Sequence, residues 1–349
     1  MSPGSLSMAL QNEQDQLTAA WRALGAESGQ GWRVIELVRK LNCTVHAGRR
    51  APGNEESLLI GIEGSPVGRD VQLPRGQGFS LTRTETIDAA TGRTWFALAR
   101  NIGGQLGLFT LMAADLVALL AQAGDEDPSR IYSALMARIR SWQEFMKRDR
   151  TGVLSAEEEV GLFGELLVFK DILKSGMNAS DVIDSWEGPA DGLHDFLIGT
   201  GAVEVKSTVS PVGFVAEIAN LDQLDDSLRR PLYVGAVRLS QTSSGQTLPE
   251  LCDELAQVVQ EAAGATTALG SKLLSAGYIE AMRERYTRRF VQVHLGYRLI
   301  RDDSPRLTRS NVPAAVQRVK YAMDLGAIPE VATRCEEIIE SLGVNVAWN

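Results

Sequence analysis

Apolar positions change their spacing several times along the chain, and each change predicts an element. Residues 14–25 predict a short helix, after a start (1–12) expected to lack order. Strand-like runs follow at CTVHA (43–47), SLLIGI (57–62) and TWFALAR (94–100), set apart by Gly, Pro and Arg-rich turns. The stretch GLFTLMAADLVALLAQAG (107–124) is nearly long enough to span a bilayer, but Asp115 sits in its middle and Gly and Ala dilute it. A buried helix over 107–121 is the better expectation. After a DEDP break at 125–128, Ile131, Leu135, Ile139 and Trp142 recur at helical spacing and predict a long helix, 129–149. These features outline an α+β accessory domain over 13–125 and a connecting helix over 126–151.

From residue 155 the pattern changes. SAEEEVGLFGELLVFKDILKSG opens with Ser155 three residues before Glu158, the spacing of a capping box, and ends on Gly176 after Lys174. A loop rich in Asp, Gly and Pro (184–192) leads to a hairpin at 194–208, then strands near 213–219 and 232–239 and a helix at 248–263. GATTALGSK (264–272) has its glycines one residue too far apart for a phosphate loop and reads as a loop between helices. A strand at 290–300 and helices near 312–325 and 330–342 complete a second domain, 152–349. No internal repeat or low-complexity tract is present.

The hairpin carries the chemistry. In HDFLIGTGAVEVKST two short apolar runs flank Gly199, Thr200 and Gly201, the composition of a tight turn. Period-2 alternation sends Phe196, Ile198, Val203 and Val205 to one face and Asp195, Glu204 and Lys206 to the other. A two-residue turn sets Asp195 opposite either Glu204 or Lys206, and both registers keep the three together, whereas a three-residue loop without a bulge would separate them. Two carboxylates and a lysine in a partly buried place repel and desolvate one another, and a divalent cation relieves that cost. Hard oxygen donors at this density suit Mg²⁺ or Mn²⁺, with Lys206 beside an attacking water. An acid-x-Lys triplet alone is weak, since roughly one arises by chance in a chain this long. Its place on an otherwise apolar strand strengthens it. An edge-strand ion pair of Lys206 with either acid is the bland alternative.

Composition narrows the classes. The 349 residues carry a net charge of −9, which argues against non-specific coating of nucleic acid. Residues 281–309 run the other way, with Arg283, Arg285, Arg288, Arg289, Arg298, Arg301, Arg306 and Arg309 interleaved by Tyr286, Phe290 and Tyr297. Such a surface could meet phosphates, or could be a solvated helix leading into a strand. The three cysteines show no ligand spacing and suit a reducing cytoplasm, and the first residues lack the basic and apolar parts of a signal peptide. No GxSxG elbow, HExxH or dinucleotide fingerprint occurs.

GLFGELLVFKDIL (161–173), SWEGPADGLHDF (185–196) and VEVKST (203–208) together resemble the PD-(D/E)XK nuclease superfamily, and more narrowly the PD-(D/E)XK motif proteins found in bacteria beside restriction and phage-defence genes. The resemblance implies an α/β (α+β) restriction-endonuclease-like core, a mixed central sheet flanked by helices. It implies an Mg²⁺- or Mn²⁺-dependent endonuclease acting on DNA, with Glu165 as helix acid, Asp195 and Glu204 as hairpin acids, Lys206 as the lysine and the Val205 carbonyl as a further ligand. Gly161 and Gly164 would let the Glu165 helix approach the sheet closely. His194 stands where the literal motif has Pro, and Asp191 competes with Asp195 as first acid. Ser207, Thr208 and Glu217 are lesser candidates, and Trp186 reads as a packing residue. Protein partners of a defence system and a homodimer are expected, a membrane is not. The rival expectation is a catalytically silent subunit of this fold that binds nucleic acid or a partner protein.

Overall fold

Two compact units divide the chain: Met1–Gly152 with Ile279–Arg283, and Val153–Tyr278 with Glu284–Asn349. A computed structural model describes residues 3–25, 31–64, 73–76, 78–85, 87, 92–147, 153–190, 192–262 and 264–344.

In the first unit, α1 (Pro3–Gly25) precedes strands β1 (Trp32–Arg39), β2 (Cys43–Arg50), β3 (Ser57–Glu63), β4 (Phe79–Arg83) and β5 (Arg93–Arg100), and helices α2 (Leu106–Ala123) and α3 (Pro128–Lys147) follow. The strands form an antiparallel sheet in the order β1-β2-β3-β5-β4. Helix α1 is longer than the helix expected over 14–25: it begins at Pro3, where proline fits a first helical turn, and no Gly or Pro interrupts the chain between Gly4 and Gly25. β1 escaped prediction because its charged residues and a bulge between Glu36 and Val38 break the alternation. Helix α2 alone among the described residues is long and apolar enough to cross a membrane. Here it packs on α1, α3, β1 and β2, and its mid-helix Asp115 accepts from Trp142 Nε1 (2.7 Å) and pairs with Arg138 (3.4 Å). A charge inside an apolar helix is thus answered from α3, which packs on α2 and β3 in this unit.

The second unit runs α4 (Ala156–Lys174), α5 (Ala179–Ser185), β6 (Phe196–Ile198), β7 (Gly201–Thr208), β8 (Val215–Ile218), β9 (Leu232–Thr247), α6 (Leu248–Val259), α7 (Ala265–Ala276), β10 (Arg289–Leu299), β11 (Tyr321–Asp324) and α8 (Cys335–Ser341). The central sheet has the order β10-β9-β7-β6, with β7 and β9 parallel and the outer pairs antiparallel. Helix α4 lies across β7 and β9. It starts as its sequence requires: Ser155 Oγ accepts the Glu158 N–H (3.2 Å) and Glu158 Oε2 accepts the Ser155 N–H (2.8 Å). The opposite side of the sheet buries Ala202, Val234 and Ala236 with Phe214, Ala216, Ile218, Met323 and Leu325, contributed largely by the small β8–β11 sheet and its flanks. Both sides of β7 are therefore covered, and this decides the environment of its charged residues.

Three expectations for this unit fail for physical reasons. No helix forms at 312–325: Met323, 7% exposed, enters the core from β11, and pairing with β8 satisfies a backbone that a helix would have turned away. The last helix is α8 alone, because the Val331 N–H donates to the Tyr297 carbonyl (2.8 Å) and holds the preceding segment along β10. GATTALGSK is the body of α7, bounded by Gly264 and Gly277 at φ 76° and 102°, with Ala265, Leu269 and Leu273 buried at helical spacing.

The β6–β7 turn is pinned from outside. Gly199 has φ 53°, its Cβ would stand 2.1 Å from the Leu342 carbonyl oxygen, and the Thr200 N–H donates to that oxygen at 2.9 Å. Gly199→Ala meets both the left-handed backbone and this contact, and is expected to cost at least about 1 kcal/mol. A thermal melt checks this; an unchanged midpoint would remove the turn from the elements that hold β6 in place.

Candidate active site

The hairpin closes through a two-residue turn, with Phe196 paired to Val203, Leu197 to Ala202 and Ile198 to Gly201. Of the two possible registers this one sets Asp195 opposite Glu204. The strands separate just there. Asp195 Oδ2 takes the N–H of Val205 at 2.7 Å, and the Asp195 carbonyl takes the N–H groups of Glu187 (2.8 Å) and Gly188 (3.1 Å). Asp195 is thereby fixed through both side chain and main chain. On its other edge β7 pairs with β9, Glu204 beside Val234 and Lys206 beside Ala236, so Glu204 stands on an interior strand and is 2% exposed.

Helix α4 delivers the third acid because it can come close. A Cβ on Gly164 would lie 1.7 Å from Ser207 Oγ and 2.9 Å from Ser207 Cβ, so the helix rests on β7 only with bare backbone at that point. The next residue, Glu165, accepts from Trp186 Nε1 at 2.8 Å. Trp186 is fully buried between the rings of Phe169 and Phe196, centroids 5.7 and 6.5 Å away. It packs, as its sequence context suggests, and it also aims a carboxylate. A Cβ on Gly188 would lie 2.7 Å from Glu165 Oε2 and 2.8 Å from Asp195 Oδ1, so these two oxygens share a small cradle over the Gly188 backbone that a methyl group would fill. Lys272 on α7 pairs with Glu187 at 3.6 Å and donates to the Trp186 carbonyl, tying the loop under this cradle.

Among the described residues the three carboxylates face one nearby cation, Lys206, whose Nζ meets Glu204 Oε1 at 2.7 Å. Burial raises the pKa of Glu165 well above the usual carboxylate range, and the Asp195 charge adds to it. Burial likewise raises Asp195, against the pull of the Val205 N–H and Lys206. Glu204 is pushed up to about 8 by burial and then by Asp195, while Lys206 and Gln223 draw it back. One ammonium does not balance three enclosed carboxylates, so protons or a second cation must.

Among the described residues no three His, Cys, Asp or Glu side chains are already gathered around one metal-sized point. The reason is visible in their partners: Glu204 turns Oε1 to Lys206 and to Gln223 Nε2, and Glu165 leans on Trp186. The donor set nonetheless fits a hard divalent cation, since two carboxylate oxygens already share the Gly188 cradle and the surplus negative charge lies beside it.

Other candidates are placed elsewhere. Glu217 is exposed and pairs with Lys320 at 2.5 Å. Thr208 Oγ1 accepts the Ser210 N–H, and Ser207 faces α4. Asp191 lies outside the described residues. His194 is 1% exposed, and burial lowers its pKa more than the Gln223 main chain raises it. The Arg-rich segment is mostly committed to the protein. Arg283 pairs with Glu280, Arg288 with Glu159 (3.3 Å) and the Ala156 carbonyl (2.8 Å), and Arg289 with Glu250 (2.9 Å). Arg285 is exposed. Tyr286, Phe290 and Tyr297 are buried, which removes them as stacking platforms for bases. Gln223 is the partner that sequence reading missed; it sits in a loop after β8, and no local pattern marks it.

A mixed sheet whose diverging strands present an acid and an acid-x-Lys triplet, with a helix acid over them, defines the chain as a nuclease-like α/β protein of the PD-(D/E)XK class. Comparison with family models agrees: the family described as "Putative PD-(D/E)XK family member, (DUF4420)" matches residues 17–326, and the chain belongs to that family. No curated protein and no solved structure matches the chain.

Two outcomes follow from this geometry. Gly188→Ala places a methyl in the shared cradle and is expected to weaken Mn²⁺ uptake at least about tenfold while the protein still melts cooperatively; calorimetry showing undiminished uptake would dissociate the cradle from metal binding. Glu204, with its folded pKa near 8 against 4.5 for the free side chain, adds most to stability below about pH 4.5, and that share is lost as pH rises through about 8. In EDTA the melting midpoint of the wild type should fall between pH 5 and 8, and Glu204→Gln should flatten that fall. Equal slopes for the two proteins would contradict the assignment.

Proposed function

We propose that this protein is a divalent-metal-dependent phosphodiesterase that cleaves DNA, working in a bacterial restriction or phage-defence system. The observation that carries the reading is the convergence of Glu165, Asp195, Glu204 and Lys206 from α4, the start of β6 and β7 on one enclosed place. A structural ion pair needs one carboxylate and one lysine; here two further acids are brought in at a cost in desolvation, one by a helix that approaches through a bare glycine.

Asp195, Glu204 and Glu165, with the Val205 carbonyl, would hold Mg²⁺ or Mn²⁺. Such an ion, when bound, neutralises the carboxylates, polarises a phosphodiester oxygen and makes its water more acidic. Asp195 contributes a fixed oxygen, because the Val205 N–H already holds its Oδ2 and its Oδ1 faces the cradle. Glu165 is kept in place by the Trp186 indole. Lys206, 15% exposed in its side chain, is the group of the four free to turn outward: its ammonium can leave Glu204 for a phosphoryl oxygen, orient the attacking water and offset charge as the new P–O bond forms and the old one breaks. Covered walls on both sides of β7 keep the local dielectric low, which strengthens each of these interactions.

Three buried thiols without disulfides suit a reducing compartment such as the cytoplasm, the setting this reading requires. The test is cleavage of plasmid and phage DNA in Mg²⁺ or Mn²⁺. Lys206→Ala and Asp195→Ala are expected to lower cleavage by at least about 10²-fold with a cooperative melt retained. Wild-type cutting by both variants would refute the site, and cleavage of RNA with DNA left intact would refute the substrate.

A further inference from the structure

Glu204 is the most deeply enclosed acid of the site, and its lysine is also the group needed at the substrate. If Lys206 moves to a phosphate, the Glu204 carboxylate must keep its orientation by other means, since a buried charge left without a donor is costly. The only other side chain that donates to it among the described residues is Gln223, whose Nε2 meets Glu204 Oε1.

Gln223 is braced for this. Its Oε1 accepts the Ala219 N–H at 2.8 Å, which fixes the amide plane and points Nε2 to the carboxylate. Its own N–H and that of Asp222 donate to Asn220 Oδ1, both at 2.9 Å, so the backbone here is a local turn. Leu221 and Leu224, 2% and 0% exposed, anchor the turn in the unit's core, and Arg309 grips Asp222 at 2.6 and 2.7 Å from outside. Both Lys206 and Gln223 use Oε1 of Glu204, and neither uses Oε2.

We infer that Gln223 is a positioning residue: it holds Glu204 by Oε1 so that Oε2 is the oxygen offered to a divalent cation, and it keeps that hold when Lys206 turns to the substrate. A neutral donor suits the task, because it directs the carboxylate without contributing a charge that would compete with the ion. This inference rests on the metal-dependent reading above.

The full chain, its Gln223→Met variant and its Ala219→Pro variant are titrated with Mn²⁺ by calorimetry, with circular dichroism and thermal melts alongside. Methionine keeps the length of the side chain and removes the amide; proline removes the N–H brace at an exposed position that follows a strand residue, where the backbone before proline is favourably extended. Gln223→Met is expected to weaken Mn²⁺ binding roughly 10–100-fold with a cooperative melt, and Ala219→Pro in the same direction by a smaller factor. A purely structural role would lower the melting midpoint and leave the affinity of the folded protein unchanged. Affinities within about twofold of wild type in the folded variants would overturn the inference, and if Gln223→Met does not melt cooperatively, Ala219→Pro decides by the same criterion. A wild type that takes up no Mn²⁺ would overturn the metal-dependent reading itself, and the role of Gln223 with it; uptake by wild type with unaltered variants would overturn only the latter.

Discussion

A carboxylate on an interior strand, covered on both sides, is the constraint around which the second unit is arranged. Left alone, Glu204 would take a proton or unfold its surroundings, for burial is the first cause of its raised pKa. The structure answers with two donors to Glu204 and an opening of the sheet beside it. Lys206 comes from the same strand, Gln223 from a loop braced by core leucines, and the sheet edge opens beside it so that Asp195 can take a main-chain N–H instead of a ladder partner. Asp195 then raises the cost again. An arrangement that adds negative charge to an already enclosed place costs stability, and it is the feature on which the proposed metal-dependent reading rests.

Glycines make this convergence possible, each by a different means. Gly164 removes the side chain that would hold α4 away from Ser207; Gly188 leaves the cradle between Glu165 and Asp195 open; Gly199 accepts the left-handed turn that fixes the register of Asp195 against Glu204. Each is a position where even one methyl group would run into atoms already in close contact. The site is therefore set as much by close backbone approach as by the acids themselves.

The arginines between 283 and 309 show the same economy at a larger scale. In sequence they form a basic stripe; in the fold Arg288 and Arg289 close on Glu159 and Glu250, Arg306 on Asp226 at 2.7 Å and Arg309 on Asp222. Arg309 reaches the turn that carries Gln223, so part of the stripe supports the carboxylate site indirectly. A cluster of like charges in sequence acquires a ligand-binding meaning only if the acids that could neutralise it lie elsewhere in space.

Local rules carried much of the site. The capping box at Ser155 and Glu158, the apolar spacing along α4, the two-residue turn and the alternation along β7 act between neighbours in the chain, so they were legible in the residues and brought Asp195, Glu204 and Lys206 to one face. Glu165 was legible mostly through family resemblance, with the close approach allowed by Gly161 and Gly164 as its local sign, since an acid beside an apolar stripe looks the same whether it meets solvent or a metal. Choice of register, the indole aimed at Glu165, the cradle over Gly188 and the amide of Gln223 needed the folded chain, as did the conversion of 321–324 from an expected helix to a strand. The reason is common to all of them: each depends on which distant segment fills the space beside a group, and contacts between residues far apart in sequence leave no periodic mark on either.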